Sequence, residues 1–78
     1  MLSFNIDSKE SAEKLIRLCE KYRDDTEVDV TCGRQTVDGR SLLGVMSLIG
    51  HFVTVKPQTD DKSIAERFSE DLERIKEG

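Results

Sequence analysis

Few residues in this chain are of types that could carry out chemistry. In 78 residues it has one histidine, His51, and two cysteines, Cys19 and Cys32. Histidine changes charge near neutral pH and can take up a proton or a phosphoryl group. No phosphate cradle adjoins His51 in the sequence, however, so we interpret it as a partly exposed strand residue. One histidine and two distant cysteines are too few ligands for a zinc centre, and we expect no metal and no cofactor.

The patterns of an independent enzyme are also missing from the sequence. It has no convergent carboxylate motif and no glycine-rich phosphate loop. Cys19 lies on the apolar face of a predicted helix and Cys32 in a predicted turn; without CxxC spacing, both are predicted to be free thiols in a reducing compartment. The N-terminus has neither a basic leader nor a long apolar stretch, so we expect no signal peptide and a cytoplasmic protein.

Length and charge narrow the functional classes further. The chain has 12 Lys and Arg against 16 Asp and Glu, a net charge of −4, which argues against binding nucleic acid. Its length predicts a single domain, residues 1–78, with a small core. The uncharged run at residues 41–50 is shorter than the ~20 apolar residues that span a membrane. We therefore expect no membrane insertion; for the oligomeric state, our prediction is a monomer.

Two serines stand where helices are predicted to begin. Asp7 or Ser8 can cap the first helix, and Glu10 can complete a capping box. Ser41 can cap a short helix that carries the uncharged run. Helical spacing lets Val45 and Leu48 face a sheet, while Leu42 or Leu43 and Met46 face outward. Leucine and methionine suit an adaptable contact with a partner protein.

Apolar periodicity predicts the elements that hold these residues. Alternation indicates a strand at 2–6, a hairpin at 27–38, and a strand from His51 that Pro57 ends. Helical spacing indicates a helix to about Arg23, the short helix from Ser41, and a last helix after a cap at Thr59–Asp61. The predicted apolar helix faces are Ala12, Leu15, Ile16, Cys19 and Tyr22 in the first helix and Ile64, Ala65, Phe68, Leu72 and Ile75 in the last. This order fits either a ferredoxin-like βαββαβ layout with an added helix or an open-faced sandwich.

The stretch Arg40–Leu48, RSLLGVMSL, and the order of elements resemble HPr, the histidine-containing phosphocarrier protein of the bacterial sugar phosphotransferase system. Lys21–Tyr22 at the end of the first helix and the TVDGRS approach extend the likeness over most of the chain. The resemblance implies an α+β fold: an HPr-like open-faced β-sandwich, βαββαβα, with a four-stranded, mainly antiparallel sheet and its helices on one face.

In the HPr family, a histidine in a GxHARPA-like loop just before the first helix carries the phosphoryl group. The corresponding residues here, 7–12, read DSKESA, without histidine, arginine or proline, in a shorter loop. Asp7 and Glu10 would compete with a phosphate for the free N–H groups of the helix and repel it. Ser8 lies near the position expected for the phosphoacceptor, and we interpret it as a helix cap. The resemblance therefore predicts a member without the usual phosphohistidine.

The same resemblance assigns roles to the surface around the short helix. It implies that Ser41 is a regulatory phosphorylation site and that Arg40, Leu42, Leu43 and Met46 contact partners: enzyme I, HPr kinase or a transcriptional regulator. The resulting hypothesis is a protein-binding regulatory module of the phosphotransferase system. Two alternatives stay open, an unconventional phosphocarrier that uses the remote His51 and a small-ligand regulatory domain of ferredoxin-like layout.

Overall fold

Three helices and four strands follow one another in the order βαββαβα in the computed structural model, which describes residues 2–77. The order confirms the prediction from periodicity. The bounds are β1 Leu2–Ile6, α1 Lys9–Lys21, β2 Glu27–Cys32, β3 Gln35–Asp38, α2 Leu42–Met46, β4 His51–Gln58 and α3 Lys62–Glu77.

The strands form one antiparallel sheet with the order β1-β4-β2-β3. Strands β4 and β2 are therefore central, and β1 and β3 are the edges. A ferredoxin-like sheet has β1 and β3 in its centre instead. The strand order thus decides between the two layouts in favour of the open-faced sandwich.

Alternation along the strands gives the sheet one apolar and one polar face. Phe4 and Ile6 of β1 are buried, whereas Ser3 and Asn5, which alternate with them, are exposed. The buried strand residues and the apolar faces of the helices form a single core of Phe4, Ile6, Ala12, Leu15, Leu18, Cys19, Tyr22, Val28, Val30, Val45, Leu48, Val53, Val55, Phe68 and Leu72. Leu18, which the predicted stripe omitted, belongs to this core, and Ile16 is only half-buried.

Side-chain caps explain where the two long helices begin. Ser8 Oγ accepts a hydrogen bond from the backbone N–H of Ser11 at 3.2 Å and caps α1. Asp61 caps α3 in the same way, since its Oδ1 accepts from the N–H of Ser63 at 2.9 Å. These bonds satisfy amide groups that have no partner within the first turn of a helix. The expected capping box does not form through Glu10, because Ser11 occupies the third helical position.

The prediction that Pro57 ends the last strand is wrong. Strand β4 continues to Gln58, and Pro57 lies opposite Val28 of β2. On the other side, the described pairing with β1 places Leu2 opposite Val55. Proline is tolerated at a position in a strand where no ladder hydrogen bond needs the N–H that it lacks.

Candidate functional site

Helix α2 is held against strand β3 by a tight turn and a close approach. In the turn, Asp38 Oδ1 accepts from the backbone N–H of Arg40 at 2.8 Å, and the backbone oxygen of Asp38 accepts from the N–H of Ser41 at 2.9 Å. A Cβ atom added at Gly44 would lie 3.0 Å from Cβ of Val37 and 3.1 Å from Oγ of Ser41. The glycine inside this short helix therefore lets α2 lie close to the sheet.

Ser41 caps α2, the position that its side chain predicts. Its Oγ accepts a hydrogen bond from the N–H of Gly44 at 3.1 Å, and the residue is half-buried. Arg40 beside it is also half-buried, with Nε 3.8 Å from Oδ1 of Asp38. The Ser41 oxygen thus lies at the start of a helix and next in sequence to Arg40, whose charge is partly balanced by Asp38.

The apolar residues of the uncharged run divide between core and surface. Val45 and Leu48 are buried, whereas Leu42 is 55% and Leu43 85% exposed. Met46 is half-buried and packs against the core, and Ile49 is 38% exposed. We call Leu42, Leu43, Met46 and Ile49 the α2 patch. Sequence reasoning missed Ile49, although its position at the end of the uncharged run was a usable signal.

The α2 patch continues towards α1. Leu42 lines a shallow cavity of about 240 Å³ together with Glu13, Ile16 and Arg17 of that helix. Ile16 is half-buried and Arg17 exposed. The exposed leucines thus border an apolar residue and a cation on the neighbouring helix.

At the start of α1, a carboxylate and two hydroxyls form a local hydrogen-bond network. Oγ of Ser11 donates to Oδ1 of Asp7, and the Oγ atoms of Ser8 and Ser11 are 3.2 Å apart. The hydrogen bonds from Ser11 and Ser8 lower the pKa of the Asp7 carboxyl. The group at this helix start is therefore an anion with its own partners, and the Ser8 hydroxyl is engaged as a cap.

His51 lies nearer to the start of α1 in space than its place in the sequence suggests. It is the first residue of β4 and pairs with Ile6, the last residue of β1, and the neighbouring N–H of Gly50 donates to the Ile6 oxygen at 2.6 Å. Paired residues point to the same face of a sheet. The exposed His51 side chain therefore leaves the sheet on the face that the helices cover, as the buried Ile6 side chain does. Among residues 6–12, however, Lys9 is the one cation, beside two carboxylates.

Residues 2–77 contain neither a membrane-spanning helix nor a metal-binding cluster. No helix there combines the length and the apolarity that a bilayer crossing requires. In the same range, no three side chains of His, Cys, Asp or Glu come together as a metal ion would need.

Comparison with known proteins gives one informative likeness. No protein-family model and no curated protein matches the chain. The crystal structure of HPr-C-His from Thermoanaerobacter tengcongensis superposes on it with a TM-score of 0.67 at 21% sequence identity. The match covers 99% of this chain and 94% of the other. At this identity, the likeness establishes the fold: the chain has an HPr-like fold, the open-faced β-sandwich with the order βαββαβα.

Proposed function

We propose that this chain is an HPr-like protein-binding regulatory module that acts through α2 instead of a phosphohistidine. The observation that carries the proposal is the exposure of Leu42 and Leu43 beside the cap Ser41, on an HPr-like fold. By resemblance, its partners are proteins of the phosphotransferase system or its regulators: enzyme I, HPr kinase or a transcriptional regulator. Free thiols at Cys19 and Cys32 suit a reducing cytoplasm.

Energetics favour the α2 patch as a docking surface. Burying an exposed leucine side chain contributes about 1.5–3 kcal/mol, so Leu42 and Leu43 could supply most of the apolar gain of a small interface. Met46 can adjust its shape to different partners because its side chain is unbranched. Arg40 and Arg17 at the border of the patch offer charge-assisted hydrogen bonds at the rim.

Phosphorylation of Ser41 is the regulation that we propose. A phosphate at the first turn of α2 would meet backbone N–H groups and would add about two negative charges at the border of the α2 patch. The phosphate would leave the short helix folded, and its negative charge would change which partners bind the α2 patch. Arg40, the adjacent residue, can pair with the phosphate if it exchanges its contact with Asp38.

A matched pair of substitutions tests docking. Leu43→Ala should weaken binding to purified enzyme I or HPr kinase by about tenfold, since one central apolar contact is lost. Phe52→Ala is the control, because Phe52 is also an exposed apolar residue (74%) but lies on β4, outside the patch. Isothermal titration calorimetry measures both. Equal losses for the two variants, or no binding by the parent chain, would contradict the proposal.

Modification has its own test. Incubation with ATP and HPr kinase should raise the intact mass by one phosphoryl group, and Ser41→Ala should abolish this increase. Ser47→Ala serves as the control, because Ser47 is the other serine of the run. A phosphate elsewhere, or none at all, would remove the regulatory serine and leave docking to the binding experiment.

The register of β1 and β4 favours one second candidate, a phosphocarrier that uses His51. Because Ile6 and His51 are paired, the imidazole starts at the end of the sheet where α1 begins. Phosphoenolpyruvate and enzyme I would then add an acid-labile phosphoryl group that His51→Gln abolishes, as intact mass would show. We favour docking because Asp7 and Glu10 stand where a phosphate cradle would need cations.

A further inference from the structure

A second groove follows the seam between α1 and α3. It has a volume of about 380 Å³. Leu18 and Ile75 form its apolar floor, and the cations Lys14, Arg17, Lys21 and Arg74 form its rim. We call it the α1–α3 groove. It shares Arg17 with the cavity beside Leu42.

The groove is a positively charged site in an acidic protein. The whole chain carries −4, whereas four cations and one carboxylate, Asp71, line the groove. Asp71 is held in place: its Oδ2 accepts from Tyr22 at 2.7 Å and from Lys21 at 3.0 Å, and its Oδ1 accepts from Arg74 at 2.9 Å. This carboxylate positions the Lys21 and Arg74 heads over the groove.

Lys21 and Arg74 still have donors for a ligand. Their side chains are 66% and 73% exposed, whereas that of Asp71 is 14% exposed. An ammonium group has three N–H donors and a guanidinium five, so one contact with Asp71 leaves most of them facing water. An incoming anion can therefore bind without displacing Asp71.

The spacing of the cations indicates the shape of the ligand. Lys14, Arg17 and Lys21 stand at i, i+3 and i+7 on α1, so they form one row about 10 Å long. A single phosphate is too short to contact such a row. Carboxylates spaced by three and four residues on another helix match it, and an apolar side chain between them would cover Leu18 and Ile75.

We propose that the α1–α3 groove binds an acidic amphipathic helix of a partner protein. Its carboxylates pair with the cation row of α1 and with Arg74, and its apolar side chains cover Leu18 and Ile75. The site meets the border of the α2 patch only at Arg17, which lines both cavities, and its other lining residues lie outside that patch. If the groove binds no such helix, the proposed function of α2 is unaffected.

A second copy of the chain is the rival occupant. Helix α3 carries exposed glutamates along its outer side, at i, i+4, i+7 and i+11: Glu66, Glu70, Glu73 and Glu77. They match the row of cations in sign and spacing but bring no apolar side chain for the floor. A dilution series of the chain alone distinguishes this case.

The test is a titration of the full chain with a synthetic helical peptide, followed by amide NMR. The peptide has glutamates at i, i+3 and i+7 with leucines between them, and a scrambled peptide of the same composition is the control. Amide shifts are expected at residues 14–21 and 71–75, and they should weaken in about 0.3 M salt because the contacts are partly solvated. Arg17→Glu and Lys21→Met should each weaken binding by roughly tenfold, the equivalent of one charge-assisted contact.

Arg34→Glu reverses a charge in the exposed β2–β3 turn and should leave peptide binding unchanged. Three results would overturn the proposal: equal binding of the scrambled peptide, shifts confined to residues 42–49, or an equal loss in Arg34→Glu. Shifts at the groove that grow with the concentration of the chain alone would assign it to a second copy instead. Lys21→Met keeps the stem of the side chain but loses the contact with Asp71. If that loss unfolds the Lys21→Met variant, Arg17→Glu remains the decisive test.

Discussion

At the scale of single residues, Gly39 shows how tightly the turn before α2 packs against α1. Gly39 is buried, and its N–H donates to the Val28 oxygen at 2.8 Å. A Cβ atom added there would lie 2.6 Å from Sγ of Cys19. Gly39→Ala should therefore lower the free energy of unfolding by about 1–3 kcal/mol, the usual cost of overpacking a core.

A double-mutant cycle by chemical denaturation checks this cause. Cys19→Ala removes the sulfur that the new methyl group meets, so the double variant should be more stable than the sum of the two single changes predicts, by about 1 kcal/mol. Strictly additive effects would mean that the loss arises elsewhere, for example at the Val28 oxygen, which lies 3.2 Å from the added atom.

The two cysteines should differ in reactivity. Cys19 is fully buried, and desolvation, helped by the charge of Asp38, raises the pKa of its thiol to about 12. Cys32 is half-buried at the end of β2. Since the thiolate is the reactive form, iodoacetamide at pH 8 should label Cys32 faster than Cys19 by a factor on the order of 100, because Cys19 needs an opening of the structure. Mass spectrometry of timed samples measures this ratio, and equal rates would show that α1 is not packed as described.

At the scale of elements, Tyr22 and Asp71 join the end of α1 to α3. The Tyr22 ring packs edge-on against Phe68, with 5.2 Å between centroids, and its O–H donates to Asp71. This hydrogen bond, with that from Lys21, lowers the pKa of the Asp71 carboxyl. Desolvation and the Asp71 carboxylate raise the pKa of Tyr22 to about 12.

The pair should make stability depend on pH at both extremes. Asp71 has a lowered pKa, so its contribution is present above about pH 4, the ordinary carboxyl value, and is lost as the pH falls through the lowered value. Tyr22 has a raised pKa, so its contribution is present below about pH 10 and is lost as the pH rises towards 12. Tyr22→Phe should cost about 1–2 kcal/mol at pH 7 and should reduce both the acid and the alkaline loss. Part of the alkaline loss should persist, because the pKa of the buried Cys19 thiol is also raised to about 12.

Urea denaturation from pH 3 to pH 11 measures these curves, with Asp71→Asn as the companion variant. An alkaline limb in Tyr22→Phe as steep as in the parent chain would show that other groups cause it.

The elements themselves were largely predictable, because most of them are specified by neighbouring residues. Ser8 and Ser41 cap helices that their sequence context predicted. The prediction for Pro57 was wrong because the tolerance of a proline depends on its hydrogen-bonding position in the sheet, which is a long-range property. The pairing of His51 with Ile6 is long-range in the same sense, since residues 45 positions apart meet only once the sheet has formed. The α1–α3 groove escaped prediction because Asp71 and Arg74 are far in sequence from Lys21.

At the scale of the whole molecule, stability should fall from the centre of the sheet towards the side that carries α2. Strand β4 pairs with β1 on one side and β2 on the other. Strand β3 has four residues, lies at the edge of the sheet beside β2, and is largely exposed. The hydrogen-bonded amides of Val53–Val55 should therefore exchange only through global unfolding, whereas those of Gln35–Asp38 exchange through local opening, at least about 100-fold faster.

Hydrogen exchange followed by NMR measures this gradient. The exposed position of β3 also affects docking, because α2 contacts β3 where Gly44 approaches Val37. Val45 is the one fully buried residue of α2 in the described chain. Binding of a partner to the α2 patch should then slow exchange in β3 more than in β4. If β3 were as protected as β4 in the free chain, α2 would be a fixed part of the core, and its exposed leucines would have to bind without any such stabilisation.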